Sequence, residues 1–358
     1  MATRKLYYEN AFAQDFTAVV ESCEAVKGGF AVALDRTAFY PEGGGQPADH
    51  GTLGESRVLD VHEKDGVVTH LCDRALSVGA EVGGHIDWAR RFDHMQQHSG
   101  EHIISGLLCS TFHCDNVGFH MGADVVTIDY NAPITWEQAL EVERRANAYI
   151  WADHPIRIWY PSPEELAALP YRSKKALEGP VRITEFPDAD RCACCGTHVA
   201  RSGQVGLVKL LSCQKFRDGA RLELLCGRRA LDYLSASWEQ ARQIGQALSV
   251  KPQSAAAAVG RMQEELLALK EKAARLEEAD FAHTAERYRD AGNVLHITGK
   301  LDGDGAYQYA VIESGGDLRP LVKDMNAALH GRGGGRDGFA QGSAACTAED
   351  IRSFFQNR

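Results

Sequence analysis

The sequence predicts a mixed α+β chain: an N-terminal β-barrel, a central α+β domain, a helical hairpin and a small C-terminal α/β domain. Three changes of pattern carry that expectation. Short apolar runs broken by Gly, Asp and Pro fill residues 1 to about 90. A helical period takes over at about Asp93, and heptad spacing appears after Leu231. With 358 residues the chain is long enough for two or three domains with their own cores.

In the first region, Gly29-Phe30-Ala31-Val32-Ala33-Leu34 and Gly66-Val67-Val68-Thr69-His70-Leu71 read as strands of a small barrel. Between them, Phe39 to Pro47 carries Gly43-Gly44-Gly45, which permits backbone angles closed to other residues. Met95, His98, His102, Ile103 and Leu107 then fall at helical spacing. A second helix is predicted over Thr135 to Trp151, with Thr135 as N-cap and Gln138 three residues on. Strands are expected over 125–130, 156–160, 181–183 and 205–211, which makes the region up to about residue 230 an α+β domain.

Leu231, Leu234, Trp238, Ala241 and Leu248 mark a long helix that Pro252 interrupts. Met262, Leu266, Leu269, Ala273 and Leu276 then alternate steps of four and three. An antiparallel hairpin with the preceding helix is the favoured reading, and a dimer contact is the other. Strands at 294–297 and 309–312 follow, then a glycine-rich loop over Gly333 to Gly342. The expected domains are therefore 1–90, 91–230, 231–285 and 286–358.

Composition narrows the function. Hydrophobic residues are 44% and charged residues 25%, and no apolar run has the length of a membrane span. The first ten residues lack a secretory apolar core, so a cytoplasmic location is expected. In that reducing compartment ten cysteines point to metal ligation or burial rather than to disulfides. A net charge of −10 argues against binding nucleic acid through a global positive field. Local basic contacts stay open, at Arg172, Lys174, Lys175, Lys209, Lys215, Arg217 and Arg221, although most such residues simply line a solvated face.

Two short signatures carry the chemistry: His98-Ser99-Gly100-Glu101-His102 and Cys194-Cys195-Gly196-Thr197-His198. Each sets two metal-binding side chains four residues apart, and together they supply three imidazoles and one thiolate, a full set for tetrahedral Zn²⁺. On a helix, residues four apart share a face. Spacing alone leaves the register open, because His94 precedes His98 by four and Cys192, Cys194 and Cys195 crowd together. It also leaves open whether the ion is structural, as closed four-ligand sites usually are, or catalytic.

These segments resemble the free-standing alanyl-tRNA editing proteins, the AlaX family in its long form, and the editing region of alanyl-tRNA synthetase. The resemblance rests on Arg91 to Gly106, Val117 to Gly122, Cys194 to Val199, Ser202-Gly203 with Val205-Gly206, and the glycine-rich Phe39 to Pro47. Gly333 to Gly342 resembles the loop of a DHHA1-type C-terminal domain. The resemblance implies that residues 91–230 form a zinc-dependent editing domain. It implies one Zn²⁺ held by His98, His102, Cys194 and His198, and deacylation of tRNA(Ala) mischarged with serine, with glycine as a second amino acid. Glu101 stands where many synthetase editing domains carry Thr, and beside the ion it is a candidate general base. Gln46, His120 and Thr197 are candidate substrate contacts, and Cys195 replaces a glycine of the family pattern. No class II synthetase catalytic region and no Asp-His-His run is legible, so ATP-dependent activation and phosphoesterase chemistry are not expected. The C-terminal region is expected either to contact tRNA or to form a homodimer. Two alternatives remain: editing of another mischarged tRNA such as Ser-tRNA(Thr), and a non-catalytic tRNA-binding protein with a structural zinc.

Overall fold

The computed structural model describes residues 2–173, 179–289, 294–299 and 307–357. Lys174 and Lys175 lie outside them. The chain is a mixed α+β protein that divides into two compact units, Met1–Gln240 and Ala241–Arg358.

The first unit opens with β1 (Arg4–Lys5) and α1 (Leu6–Glu9), followed by β2 (Asp15–Val26), β3 (Gly29–Leu34) and β4 (Arg36–Thr37). Next come β5 (Gly51–Leu53), β6 (Ser56–Lys64), β7 (Val67–Cys72) and β8 (Glu81–Ile86). Six of these strands close on themselves in the order β2-β3-β7-β6-β5-β8, every pair antiparallel. Alternation along each strand, reset in β6 by a bulge between Val58 and Asp60, turns Val32, Leu34, Val58, Val61, Val68 and Ile86 inward to a common core.

The helix expected from about Asp93 begins earlier: α2 spans Trp88–Phe112. Asp87 caps it by accepting from the Arg90 amide, and Trp88 packs on Phe92 one turn later, 5.5 Å between rings. From Met95 to Cys109 nearly every residue is buried. That crowding explains the small residues: a Cβ on Gly100 would fall 2.2 Å from Cys226 Sγ, and one on Gly106 2.2 Å from the Ala189 carbonyl. Arg91 bolts the helix to the strand ring. Its fully buried guanidinium binds both Asp49 oxygens and the carbonyls of Ala11 and Ala38.

Then follow β9 (Asn116–Met121), β10 (Val126–Tyr130), α3 (Trp136–Trp151), β11 (Arg157–Trp159), α4 (Pro163–Ala168), β12 (Ile183–Phe186), β13 (Asp190–Ala193), β14 (Val208–Phe216) and β15 (Gly219–Cys226). Thr135 and Gln138 form the expected capping box of α3. The strand expected at 205–211 starts at Val208, because Ser202–Val205 forms a 3-10 turn. Likewise, the strand expected at 181–183 runs later, at Ile183–Phe186. Two sheets result, β14-β15-β10-β9 and β11-β12-β13.

α5 (Gly227–Ala247) crosses from the first unit to the second, and Pro252 ends the path before α6 (Ala255–Arg289). The expected hairpin does not cover the heptad seam: Met262, Leu266, Leu269 and Leu276 are exposed. The turn at Ser249 (φ 54°) and Pro252 brings the helices together at the elbow, where Ile244, Leu248, Val259, Met262 and Leu266 line a groove of about 550 Å³. The unit closes with β16 (Val294–Gly299), β17 (Tyr307–Asp317), α7 (Arg319–Ala328), β18 (Gly331–Ala344) and α8 (Ala348–Gln356).

The expected glycine-rich loop is therefore a strand. β18 pairs with β17 and doubles back about Gly338 (φ 74°), so that a Cβ on Gly333 would fall 2.9 Å from the Cα of Gly342. Its glycines serve close backbone approach.

Candidate metal centre

Helix α2 supplies the first half of the site. His98 and His102 lie one turn apart on the same face, and their rings stack at 5.2 Å. The second half comes from the irregular segment after β13. One ring nitrogen or sulfur of each of His98, His102, Cys194 and His198 lies within 4.8 Å of the others. Cys194 Sγ is 3.5 Å from His98 Nε2 and 3.4 Å from His198 Nε2.

The outer nitrogen of each imidazole is held. His98 Nδ1–H donates to Gln46 Oε1 at 2.9 Å, and His102 Nδ1–H donates to Asp190 Oδ2 at 2.8 Å. His198 Nδ1 lies 3.3 Å from Ser99 Oγ. These bonds fix ring orientation and, for His98 and His102, keep Nε2 as the inward-facing atom, which is how proteins prepare histidines for a metal. Phe119 stacks on His98 and Phe186 on His102, so the rings are clamped from the side as well.

The triple glycine delivers Gln46. Gly45 (φ 87°) passes so close to β9 that a Cβ there would fall 2.6 Å from the Phe119 ring. The Gln46 amide then serves two elements at once: its oxygen takes His98, and its nitrogen donates to Thr197 Oγ1 at 2.9 Å. Gly196 is needed for the same approach, since a Cβ on it would lie 2.1 Å from His98 Cε1. Arg182 holds the turn by donating to the carbonyls of Cys194 and Gly196.

The electrostatics match this arrangement. Burial pushes the Cys194 thiol up, but the three surrounding imidazoles outweigh it and hold the group well below its ordinary range. Burial likewise opposes charge on His102, but Cys194 and Asp190 raise it well above the ordinary imidazole value. Burial drives His198 down to about 3. Soft sulfur and imidazole nitrogen, with clamped tautomers and a thiol whose ionisation the imidazoles favour, fit a borderline metal cation.

Around the donors the structure adds residues that spacing did not flag. Asp190 is nearly fully buried and is gripped by Arg172 at 2.7 and 2.8 Å. Arg172 thus supports the centre, and Lys209 and Arg221 are likewise paired, with Glu143 and Asp129. Asp190 sits four residues before Cys194, and strand alternation puts it on the same face as Cys192. That signal becomes legible only once β13 is known to be a strand.

Glu101 is buried beside the donors. Its Oε1 accepts from Ser105 at 2.7 Å and from Asn116 at 2.5 Å, and Ser105 also meets the Tyr130 hydroxyl. Its Oε2 faces His102 Nε2 at 3.9 Å. Gln46 and Thr197 are fully buried and bonded to each other. His120 is exposed on β9, on the face opposite Phe119 and hence turned from the donors. His94 is buried one turn before His98, driven down to about 3 by burial, and stands outside the donor group. Cys195 is exposed, and Cys192 groups with His102 and Asp190 instead.

The four donors form a cluster that could hold a metal ion, and the families that match the chain are those of aminoacyl-tRNA synthetases. Two family profiles match, "tRNA synthetases class II (A)" over residues 2–90 and "Threonyl and Alanyl tRNA synthetase second additional domain" over 181–222. The first match covers the strand ring; the second covers β12, β13 and the Cys194–His198 segment. Among similar proteins, Alanyl-tRNA editing protein Aarsd1-A of Xenopus laevis is 32% identical over 287 residues, 78% of this chain and 69% of that protein. Alanyl-tRNA editing protein Aarsd1 of Mus musculus is 28% identical, covering 88% of this chain and 82% of that one. Alanyl-tRNA editing protein AlaX-L of Pyrococcus horikoshii is 32% identical, covering 64% and 60%. The chain belongs to the alanyl-tRNA editing protein family. No helix among the described residues is long and apolar enough to cross a membrane.

Proposed function

We propose that this protein is a trans-editing hydrolase of the cytoplasm that deacylates tRNA(Ala) mischarged with serine, and secondarily with glycine. The observation that carries the reading is the convergence of His98, His102, Cys194 and His198 to within 4.8 Å in a chain of the alanyl-tRNA editing family. In this reading residues 91–230 do the chemistry, the strand ring of 1–90 supplies Gln46, and 231–285 and 286–358 serve tRNA contact or dimerisation.

The four side chains would hold one Zn²⁺, which when bound supplies Lewis acidity toward an ester carbonyl or its attacking water. The chain's own residues do the rest. Gln46, Ser99 and Asp190 hold the imidazoles in place, and Phe119 and Phe186 keep bulk water from their flanks. Glu101, oriented by Ser105 and Asn116, presents Oε2 to the reaction space. As general base it takes a proton from the water whose oxygen bonds to the acyl carbon. It returns that proton to the ribose oxygen as the acyl–oxygen bond breaks. The products are free serine and uncharged tRNA. The ester is already labile, so orienting it and one water is the main demand. Gln46 and Thr197 are proposed to contact the aminoacyl end of the tRNA, whereas His120, turned from the donors, is not placed to do so.

The test is loss of labelled serine from Ser-tRNA(Ala), with Ser-tRNA(Thr) in parallel. Turnover of the first that a chelator or His98→Ala abolishes in a folded protein supports the reading. A preference for Ser-tRNA(Thr), toward which the shared threonyl and alanyl profile points, would move the substrate. If His98→Ala unfolds the chain and the wild type hydrolyses neither, the zinc is structural.

A further inference from the structure

We infer that the row of residues running from the metal ligand Cys194 through Arg182 to Tyr160 is a purine-nucleoside subsite that seats the terminal adenine of the substrate. The inference deepens the proposed function and rests on it for the identity of the ligand.

The row follows from strand register. β12 pairs with β13 so that Thr184 opposes Cys192, and the Cys194 amide extends the ladder by donating to the Arg182 carbonyl at 3.0 Å. On the other side β11 pairs Ile158 with Thr184 and Trp159 with Ile183, so the next residue, Tyr160, falls beside Arg182. Residues opposite each other in antiparallel strands project to the same face. Phe186 and Asp190 both reach His102 from that face, which makes it the metal-facing side of the sheet. Two strand spacings separate Tyr160 from Cys194, about 10 Å. That is the reach of a ribose and its base.

The side chains along the row suit a nucleoside. Tyr160 is 52% exposed, an aromatic face open to solvent beside a buried cation. Burial raises its hydroxyl, and Arg182 counters the shift, consistent with the neighbourhood that register gives. The Arg182 guanidinium lies 5.0 Å over the Tyr8 ring, so a second aromatic flanks the row. Arg182 is 4% exposed, and its Nε is buried without a hydrogen-bond partner. A buried donor left unmade is costly, and its pairing with an oxygen or ring nitrogen of a ligand relieves that cost. A flat base on Tyr160, a donor on Arg182 and an ester reaching back to Cys194 use every group in the row. Exposed aromatics next to guanidinium are how proteins seat unstacked bases.

The experiment is calorimetric titration of the zinc-loaded protein with adenosine, for wild type, Tyr160→Ala, Tyr160→Phe and Tyr160→Trp. Arg182 is left alone because it also pins the Cys194 turn. Adenosine is expected to bind wild type, Tyr160→Phe and Tyr160→Trp within about threefold of one another, and Tyr160→Ala roughly 5- to 100-fold more weakly. In deacylation of Ser-tRNA(Ala), Tyr160→Ala raises KM by a similar factor while kcat changes little. Equal adenosine binding by wild type and Tyr160→Ala, or none by wild type, overturns the subsite. If wild type deacylates nothing yet binds adenosine in a Tyr160-dependent way, the subsite stands and the editing reading falls.

Discussion

Helix α2 and the Cys194–His198 segment each place two donors four residues apart, yet for different reasons. On α2 the spacing is one turn of a buried helix, and the hydrogen-bond ladder alone brings His98 and His102 onto one face. After β13 no regular structure does this. The turn exists because Gly196 admits the His98 ring, Arg182 ties down two carbonyls, and the Gly196 amide donates to Cys194 Sγ at 3.4 Å. Identical spacing thus conceals one half that is self-supporting and one that is held by its neighbours. The metal centre should therefore fail first from the loop side.

The sharpest break is Gly196→Ala. The new Cβ would meet His98 Cε1 at 2.1 Å and Nδ1 at 2.3 Å, and Gln46 keeps that ring from turning away. Zinc affinity is expected to fall by at least about a hundredfold. Competition with a chromogenic chelator measures it, while circular dichroism checks that α2 persists. Unchanged affinity would mean that the loop tolerates rearrangement and that the contrast is false. Arg182→Met comes next. It removes both carbonyl ties but no donor, and an affinity loss of roughly 10- to 100-fold is expected by the same titration.

Asp190→Asn probes the helix half through the carboxylate that holds His102 Nδ1. Losing the carboxylate should weaken zinc by about tenfold or more. It should also move the pH dependence in a defined direction. In the metal-free site His102 is raised above its ordinary value, chiefly by Cys194 and Asp190 against the opposing effect of burial. Below that raised value a proton competes with the ion, so affinity falls as pH falls. Removing Asp190 lowers the value, so the fall-off should shift to more acid pH even as the plateau drops. A fall-off that stays in place would show that Asp190 orients the ring without tuning it.

The same contrast explains what was legible. The helix under His98 and His102 was readable because helical periodicity is local: Met95, Ile103 and Leu107 announce it, although choosing His98 and His102 over His94 took the resemblance. The spacing of Cys194 and His198 was readable as a donor pair, but the choice of Cys194 over Cys192 and Cys195 came from the resemblance, since nothing within five residues says that the turn is tied by Arg182, twelve positions back. Asp190 and Arg172 were hidden for the same reason. Arg172 looked like a free cation until β13 brought Asp190 beside it. The exposed seam of α6 misled in the opposite way. Heptad spacing specifies an apolar stripe but not its partner, and the elbow at Ser249 and Pro252 leaves Leu269 and Leu276 in solvent. The glycines of β18 read as a loop because their role, contact between Gly333 and Gly342, is non-local.

The smallest effect tests how far the loop half leans on the helix. Ser99 lies on α2 between the two donor histidines, and its hydroxyl spans the gap to the loop, 3.3 Å from His198 Nδ1 and accepting from the Val199 amide at 3.2 Å. Both bonds are long and neutral, and Ser99→Ala removes the hydroxyl with little change of shape. A net loss of about 1 kcal/mol, roughly fivefold in zinc affinity, is what such a hydrogen bond contributes. His98 and His102, set by the backbone of α2, should keep their stacking, visible as unshifted imidazole resonances, while those of His198 move. A loss as large as that of Arg182→Met would make Ser99 the joint on which the loop depends. The helix would then be what holds the second half of the site, and the two halves would no longer be independent.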